Sequence, residues 1–239
     1  DLLRAQGLAP VLKQSGQPGP KEVNLVVMAP SDMPPALASK KIAGYIVAEP
    51  FNAAAEQLNV GKILRFTGDV WRNHACCVIF MHEQDLTQRA AWSQKVVDAI
   101  VNAQLWTRAH PQEAARLLSK EGPNRYTPHP SQLLARVLAP QAADQGRYLG
   151  DRAIQHANWG VKRIDFQPYP YPSYTEELVR RLKTTQVEGA SQFLASLDPK
   201  RVAGDLVDDR FVKKSIEALG GLSAFGQDGG YARKETIVV

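Results

Sequence analysis

Residues 43–53 read AGYIVAEPFNA, and the predicted architecture starts from them. The segment from Gly44 to Ala48 is short and mostly apolar, which is typical of a buried strand. Glu49-Pro50 ends this strand, and a helix is predicted from Phe51 to Leu58. Ligands of open α/β sheets bind beyond the carboxyl ends of strands, and the free N–H groups of a helix N-terminus attract anions. Glu49, Pro50 and Phe51 are therefore candidate ligand-binding residues.

The same strand–helix unit occurs just upstream. Residues 23–29, VNLVVMA, predict a second apolar strand, and the prolines of the following PSDMPP suit the first turn of a short helix reaching to about Lys40. Ser31 or Asp32 is a suitable N-cap for that helix. The order of elements predicts a βαβ unit with a right-handed crossover, in which both strand ends face one crevice. Ser31 and Asp32 are therefore also candidate ligand-binding residues.

Two more strands are predicted before the chain becomes mostly helical. They lie at residues 62–66 (KILRF) and 76–81 (CCVIFM). Helices are predicted at residues 92–109, 111–118 and 131–138. Another helix is predicted to begin at a capping box of Ser173 and Glu176 and to reach about Lys183. Asp198 is predicted to cap a short turn, and Asp208 to precede a helix at residues 210–219. The first third is thus α/β and the remainder mostly helical. The predicted sheet has few strands for its helices, so either the fold is unusual or strands are missing upstream of Asp1.

Composition limits the function classes. The chain has 239 residues, 44% apolar and 22% charged, which is ordinary for one large or two modest soluble domains. The net charge of +5 comes from scattered basic residues, so nucleic-acid binding is not predicted. No apolar stretch is long enough to span a membrane, and residues 1–239 contain no recognisable signal peptide.

No catalytic, metal or cofactor motif is found. The five histidines lack metal-site spacing, and there is no Walker loop, GxSxG or GxGxxG. The adjacent Cys76 and Cys77 are interpreted as buried apolar residues of a strand, with metal or redox use as the alternative. Trp71 and His74 lie in the loop TGDVWRNH and are candidates for the wall of a small polar or anionic site. The alternatives are that Trp71 packs over a sheet edge, that His74 is a surface residue, and that Glu49 caps a helix or pairs with a basic residue.

These motifs resemble a known family. APSDMPPALASKKIAGYIVAEPFNAAAE, TGDVWRNHACCVIF and WSQKVVDAIVNAQLWTRAHPQEAARLL, in this order, resemble the substrate-binding proteins of ABC importers for nitrate, sulfonate and taurine, including the NMT1-like thiamine-precursor-binding relatives. GYIVAEPFNA is similar to the family segment G-x-x-x-x-E-P-[WF]-N. DVWRNH is similar to D-[IV]-W-[KR]-x-H of the nitrate and bicarbonate branch. The resemblance covers most of the chain and weakens after about Pro140.

The resemblance implies a fold. The family is a two-lobed, type II periplasmic-binding-protein clamshell of doubly wound α/β sheets with the ligand between the lobes. Residues 1–75 would form most of lobe II, and residues 76–239 would supply a return strand and helices packing on lobe I. The family's opening segment has no counterpart here, so the clamshell is expected to be incomplete at its N-terminal side.

The resemblance also implies a function. The protein would be a monomeric extracytoplasmic receptor, periplasmic or lipid-anchored, without cofactor or covalent chemistry. It would deliver a small anionic or heteroaromatic solute to the permease and ATPase subunits of an importer. His74 would reach the cleft, whereas Lys162 is only a tentative counterpart of the branch's anion-binding lysine. HACC replaces the branch's usual HP, which leaves an organic ligand open. The alternatives are an NMT1-like pyrimidine-precursor synthase and a clamshell sensor domain.

Overall fold

The computed structural model describes residues 2–13, 15–156, 162–185 and 189–238. Within these ranges, regular strands are confined to β1 (Ala9–Val11) and β2 (Glu22–Asn24). The two strands pair in parallel, with Pro10 opposite Val23. The ion pair between Lys13 and Glu22 closes the end of this small sheet.

Helices make up most of the remaining regular structure. In chain order they are α1 (Leu2–Ala5), α2 (Met33–Ala38), α3 (Phe51–Gln57), α4 (Thr67–Val70), α5 (Glu83–Gln88), α6 (Ala90–Ala109), α7 (Pro111–Leu118), α8 (Ser131–Leu138), α9 (Ala142–Gly150), α10 (Pro172–Leu182), α11 (Phe193–Ser196), α12 (Pro199–Leu206) and α13 (Arg210–Ala218). Single 3-10 turns occur at Pro30–Asp32 and Leu222–Phe225.

The largest hydrophobic core lies between α6 and α13. Val97, Val101 and Leu105 recur every four residues on α6 and face this core, because that spacing keeps them on one side of a helix. Ile216 of α13 and Phe225 of the last 3-10 turn are completely buried against them. Tyr169 and Tyr171, from the segment before α10, complete the same core.

The predicted helices are confirmed with small changes. Those at 51–58, 92–109, 111–118, 131–138 and 210–219 all occur, and α7 and α8 have the predicted bounds. Asp198 caps α12 by accepting a hydrogen bond from the N–H of Arg201 at 2.7 Å. The prediction of a capping box at Ser173 is wrong. The Ser173 hydroxyl donates instead to Glu235 at 2.7 Å, and α10 begins without a side-chain cap. α9 was not predicted, since its sequence AADQGRYLG has no clear apolar stripe.

The predicted strands are mostly not formed. Residues 23–29 contribute only their first two residues to β2, and residues 44–48, 62–66 and 76–81 form no strand. A strand requires a neighbour for its backbone groups, and these apolar segments have none in the described chain. The prediction that Cys76 and Cys77 are buried is wrong for the same reason. Both residues are exposed.

The fold is therefore mixed α/β, rich in helix, with a small parallel sheet. The two-lobed arrangement and its division near residue 75 stay predictions. None of the helices in the described ranges is long and apolar enough to cross a membrane.

Candidate functional site

The turn at Glu49 is held from two directions. One Glu49 carboxylate oxygen accepts the N–H of Ala53 at 3.0 Å in the first turn of α3. The other accepts the Nε–H of Arg163 at 2.8 Å. The peptide bond between Glu49 and Pro50 is cis. Both structural alternatives for Glu49, capping and pairing with a basic residue, are thus observed, and its role in ligand binding stays a prediction.

Arg163 is the buried centre of a charged group, which we call the Arg163 cluster: Glu49, Glu56, Arg136, Arg147, Tyr148 and Arg163. The Arg163 side chain is only 1% exposed and also donates to Glu56 at 2.7 Å. Burial alone would lower the pKa of Arg163, but the two adjacent carboxylates outweigh burial and raise it. The arginine is therefore permanently charged, and its Nη2 is buried without a hydrogen-bond partner within the described chain.

Tyr148 closes this cluster on the side of Glu56. Its hydroxyl donates to a Glu56 oxygen at 2.9 Å and accepts from Arg163 at 2.5 Å. Burial raises the pKa of Tyr148, so the hydroxyl keeps its proton and can act as this donor. The cluster therefore joins α3, α9 and the segment before α10, and it fixes the turn that carries Glu49, Pro50 and Phe51.

The short helix α4 connects this cluster to a second group. Phe66, just before α4, packs edge-to-face on Tyr148 with ring centroids 4.8 Å apart. Asp69 within α4 is buried and accepts the N–H groups of Gln155 and His156 at 2.8 and 3.1 Å. These bonds anchor α4, whose other end carries Trp71.

Trp71 lies in an aromatic and acidic group that we call the Trp71 cluster: Thr67, Trp71, His74, Ser173, Tyr174, Arg233 and Glu235. The indole N–H of Trp71 donates to Glu235 at 2.8 Å, and its ring lies 4.9 Å from that of Tyr174. Burial alone would raise the pKa of Glu235. The hydrogen bonds from Arg233, Trp71 and Ser173 outweigh burial and lower it.

Both ring nitrogens of His74 are engaged. Nδ1 lies 3.0 Å from the Trp71 carbonyl oxygen, which can only accept, so Nδ1 carries a proton. Nε2 lies 3.2 Å from the Thr67 hydroxyl, which can donate or accept. These two contacts hold the imidazole ring in one position beside Trp71.

The seven predicted site residues fall into three groups. Glu49, Pro50 and Phe51 share one turn, whereas Trp71 and His74 share the Trp71 cluster. Ser31 and Asp32 are adjacent and exposed in the first 3-10 turn, 3.5 Å apart between oxygens. No hydrogen bond or ion pair links one of these groups directly to another in the part of the chain that the structure describes. None of the seven lines either of the two cavities, of about 530 and 420 Å³, near the C-terminal ends of α6 and α13.

Sequence reasoning missed several members of these clusters. Arg163 and Glu235 contact partners 114 and 164 residues away, and no local pattern indicates such pairs. Glu56 gave no separate signal either, because Glu49 precedes α3 and the helical repeat does not relate the two carboxylates. In the described ranges, no group of three or more His, Cys, Asp or Glu side chains could hold a metal ion.

Comparison with known proteins identifies the class. Residues 1–120 match the sequence model of the NMT1-like family. This chain belongs to the NMT1-like family. One relative is the nitrate import ATP-binding protein NrtC of Synechocystis sp., which is 30% identical over 83 residues. That match covers 35% of this chain and 12% of NrtC, so the chain spans about an eighth of the relative's length. No solved structure matches the chain.

Proposed function

We propose that this chain is part of the solute-binding receptor of an ABC importer and that it binds a small anion without transforming it. The NMT1-like match and the likeness to a nitrate-import protein support a transport role. The nitrate, sulfonate and taurine type of solute is the class implied by the EPFN and DVWRNH segments. The receptor would work outside the cytoplasm with permease and ATPase subunits.

The Trp71 cluster is the observation that carries this proposal. His74 is held at both ring nitrogens beside the Trp71 indole, whose ring centroid lies 6.5 Å away. A fixed imidazole next to an aromatic face can form one wall of a site for a planar or tetrahedral oxyanion. The neighbouring Arg72 is exposed, and its side chain has no hydrogen-bond or ion-pair partner in the described part of the chain. Arg72 therefore offers a cation beside the cluster that could meet the anion.

Glu49, Pro50, Phe51, Ser31 and Asp32 are proposed to complete the site from the other predicted strand ends. Phe51 packs edge-to-face on His129, with centroids 5.4 Å apart, and this contact holds its ring. Ser31 and Asp32 lie exposed at the start of a helix and are free to contact a solute. Closure of such a site around the solute would follow the hinge motion typical of solute receptors.

The test is an anion screen on the protein as it is made in its own cells. Nitrate, bicarbonate, taurine and ethanesulfonate are titrated at pH 7 while the melting temperature and heat of binding are followed. We expect one of these anions to bind and to raise the melting temperature. If none of the four binds, the proposed function is wrong.

Substitution then assigns the site. His74→Ala is expected to weaken binding of the anion about 10-fold, because it removes the imidazole ring that stands beside Trp71 and forms part of the proposed wall. The matched control is His110→Ala, because His110 is exposed and also packs on a tryptophan, Trp106, with centroids 5.2 Å apart. Equal affinities of the two variants would exclude His74 from the site.

A further inference from the structure

Four hydrogen-bond donors converge on the carboxylate of Glu235, whose side chain is only 7% exposed. One carboxylate oxygen accepts the Ser173 hydroxyl and the Arg233 Nε–H, each at 2.7 Å. The other oxygen accepts the Trp71 indole N–H at 2.8 Å and the Arg233 Nη2–H at 3.3 Å. Each oxygen therefore has two donors, and the guanidinium meets the carboxylate in the two-pronged geometry of strong arginine–carboxylate pairs.

These donors are held by contacts that do not involve Glu235. The Trp71 ring lies 4.9 Å from the Tyr174 ring. The Arg233 guanidinium lies 4.3 Å from the centre of the Tyr171 ring and makes a cation–π contact with it. The serine hydroxyl is carried by the first turn of α10. The donor set would therefore stay in place without Glu235, which is the property of a preorganised binding site.

Glu235 is carried by an extended segment, residues 231–238, that runs over the surface with alternate side chains facing inward. The inward positions 231, 233, 235 and 237 are half-buried, and the positions between them are exposed. In the described ranges, the main chain of this segment makes two hydrogen bonds, of 3.1 and 2.8 Å, both with residues 70–72. Because so few bonds hold the segment, Glu235 can leave its donors while the core between α6 and α13 stays folded.

The charge balance of the site shows what could replace Glu235. Without it, the Arg233 side chain, which is 20% exposed, would be a largely buried cation without its carboxylate, and such a state is costly. An anion on the same donors restores the pair, whereas a neutral molecule does not. A planar group with two oxygens also meets both prongs of the guanidinium, which a spherical ion such as chloride does not.

We propose that Trp71, Ser173 and Arg233 form an oxyanion site whose resident occupant is Glu235. An external carboxylate-type anion, which presents two oxygens in one plane, would bind there in competition with the Glu235 side chain. Glu235 would thus act as an autoinhibitory group that keeps the site closed to weakly binding anions. This inference deepens the proposed function and rests on it in placing a small anion at the Trp71 cluster.

The experiment compares acetate binding by the wild-type protein, Glu235→Gln and Glu235→Ala. Acetate is the probe because it has the size and charge of the side-chain end that the alanine variant removes. Binding is followed at pH 7 and constant ionic strength by calorimetry and by the melting temperature. We expect both variants to bind acetate at least about tenfold more tightly than the wild-type protein, because the site no longer holds its own carboxylate.

The controls test position, charge and shape separately. Glu217→Gln should bind acetate like the wild-type protein, because the Glu217 side chain is exposed and makes no hydrogen bond or ion pair in the described ranges. Acetamide lacks the charge and chloride lacks the paired oxygens, so both should bind the Glu235 variants at least about tenfold more weakly than acetate. Ser173→Ala added to Glu235→Gln removes one donor and should weaken acetate binding about tenfold.

Two results would overturn the inference. Equal acetate affinities of the wild-type protein and Glu235→Gln would show that Glu235 does not compete for the site. Acetate binding that is unchanged by Ser173→Ala would place the anion elsewhere. Glu235→Gln keeps the shape of the side chain, so the comparison remains decisive if Glu235→Ala does not fold.

The anion screen described above separates this inference from the proposed function. If the wild-type protein binds none of the four anions while Glu235→Gln binds acetate as expected, the proposed function fails and the oxyanion site stands. If one of the four anions binds the wild-type protein and Glu235→Gln with equal affinity, the inference fails and the proposed function stands.

Discussion

The two parts of the described chain differ in how they bury their apolar residues. From α6 onward, helices enclose Val101, Ile216 and Phe225 almost completely. In the first 81 residues, comparable side chains such as Val27 and Phe80 lie in water. A helix satisfies its own backbone and needs only a partner for one face, whereas a strand needs a neighbour for its backbone as well. Among the described residues, the helical part therefore encloses its large apolar side chains, whereas the extended apolar segments at residues 25–29, 43–48, 62–65 and 76–81 do not.

The charged clusters show the same contrast in electrostatics. The centre of the Arg163 cluster, formed by Arg163, Glu49 and Glu56, is buried, and its geometry depends on distant parts of the chain. On α10, Arg180 pairs with Glu176 and Glu177 within one turn and remains half exposed. Only the first type holds separate elements together, because a solvated pair gains little over separate hydration.

The largest expected difference is between two phenylalanines. Phe225→Ala is expected to lower the free energy of unfolding of the protein comprising residues 1–239 by about 3–5 kcal/mol, since it leaves a cavity in a closed core. Phe80→Ala should change it by less than about 0.5 kcal/mol, since Phe80 already faces water. Urea unfolding followed by circular dichroism measures both. Similar losses for the two variants would contradict the division into a closed and an open part.

The second comparison removes one arginine from each type of ion pair. Arg163→Ala is expected to lower the free energy of unfolding by about 3 kcal/mol, because it leaves two buried carboxylates without their central cation. Arg180→Ala should cost no more than about 1 kcal/mol, because water and salt screen its pairs. The same urea titration at 0.15 M salt gives both values. A small loss for Arg163→Ala would mean that Arg136 and Arg147 suffice to neutralise Glu56.

The third comparison uses pH. The pKa of Glu235 lies below its ordinary value of 4.5, so its carboxylate stabilises the fold fully above about pH 4.5. This contribution is lost as the pH falls through the folded-state pKa. Glu235→Gln is therefore expected to lower the free energy of unfolding by about 1–2 kcal/mol at pH 7 and by progressively less below about pH 4.5.

The control for this pH profile is Glu217→Gln, since the Glu217 side chain is exposed on α13 and makes no hydrogen bond or ion pair in the described ranges. Urea unfolding at several pH values between 3 and 7 compares the two variants. A cost of Glu235→Gln that is constant with pH would show that the carboxylate charge is not what stabilises this site.

The smallest effect concerns helix caps. Asp198→Ala is expected to lower the free energy of unfolding by about 1 kcal/mol, because it removes the cap of α12. The melting temperature should therefore fall slightly. Thermal unfolding detects this change. Asp205→Ala, at the other end of α12, is the matched control and should be nearly neutral, because its contact with Arg201 is long and solvent-exposed.

The sequence predicted those features whose physical cause is local. Pro111 and the apolar repeat on α8 indicated helices that the structure confirms with the same bounds. The Glu49 turn was also predictable, because its cap and its proline act within four residues.

Features that depend on distant partners could not be predicted. Ser173 has the pattern of a capping residue, but Glu235, 62 residues later, takes its hydroxyl instead. Cys76 and Cys77 have the composition of a buried strand and are exposed, because burial depends on a neighbour that local sequence does not describe.

By itself, the sequence determined the positions of the main helices, the apolar character of residues 25–29, 43–48 and 76–81, and the family to which the chain belongs. The tertiary structure alone decided that Arg163 holds the Glu49 turn, that Glu235 holds Trp71, and that these apolar segments form no strand within the described ranges. The physical reason is range. Helix signals act over four residues, whereas ion pairs, cores and strand ladders join residues that only the folded chain brings together.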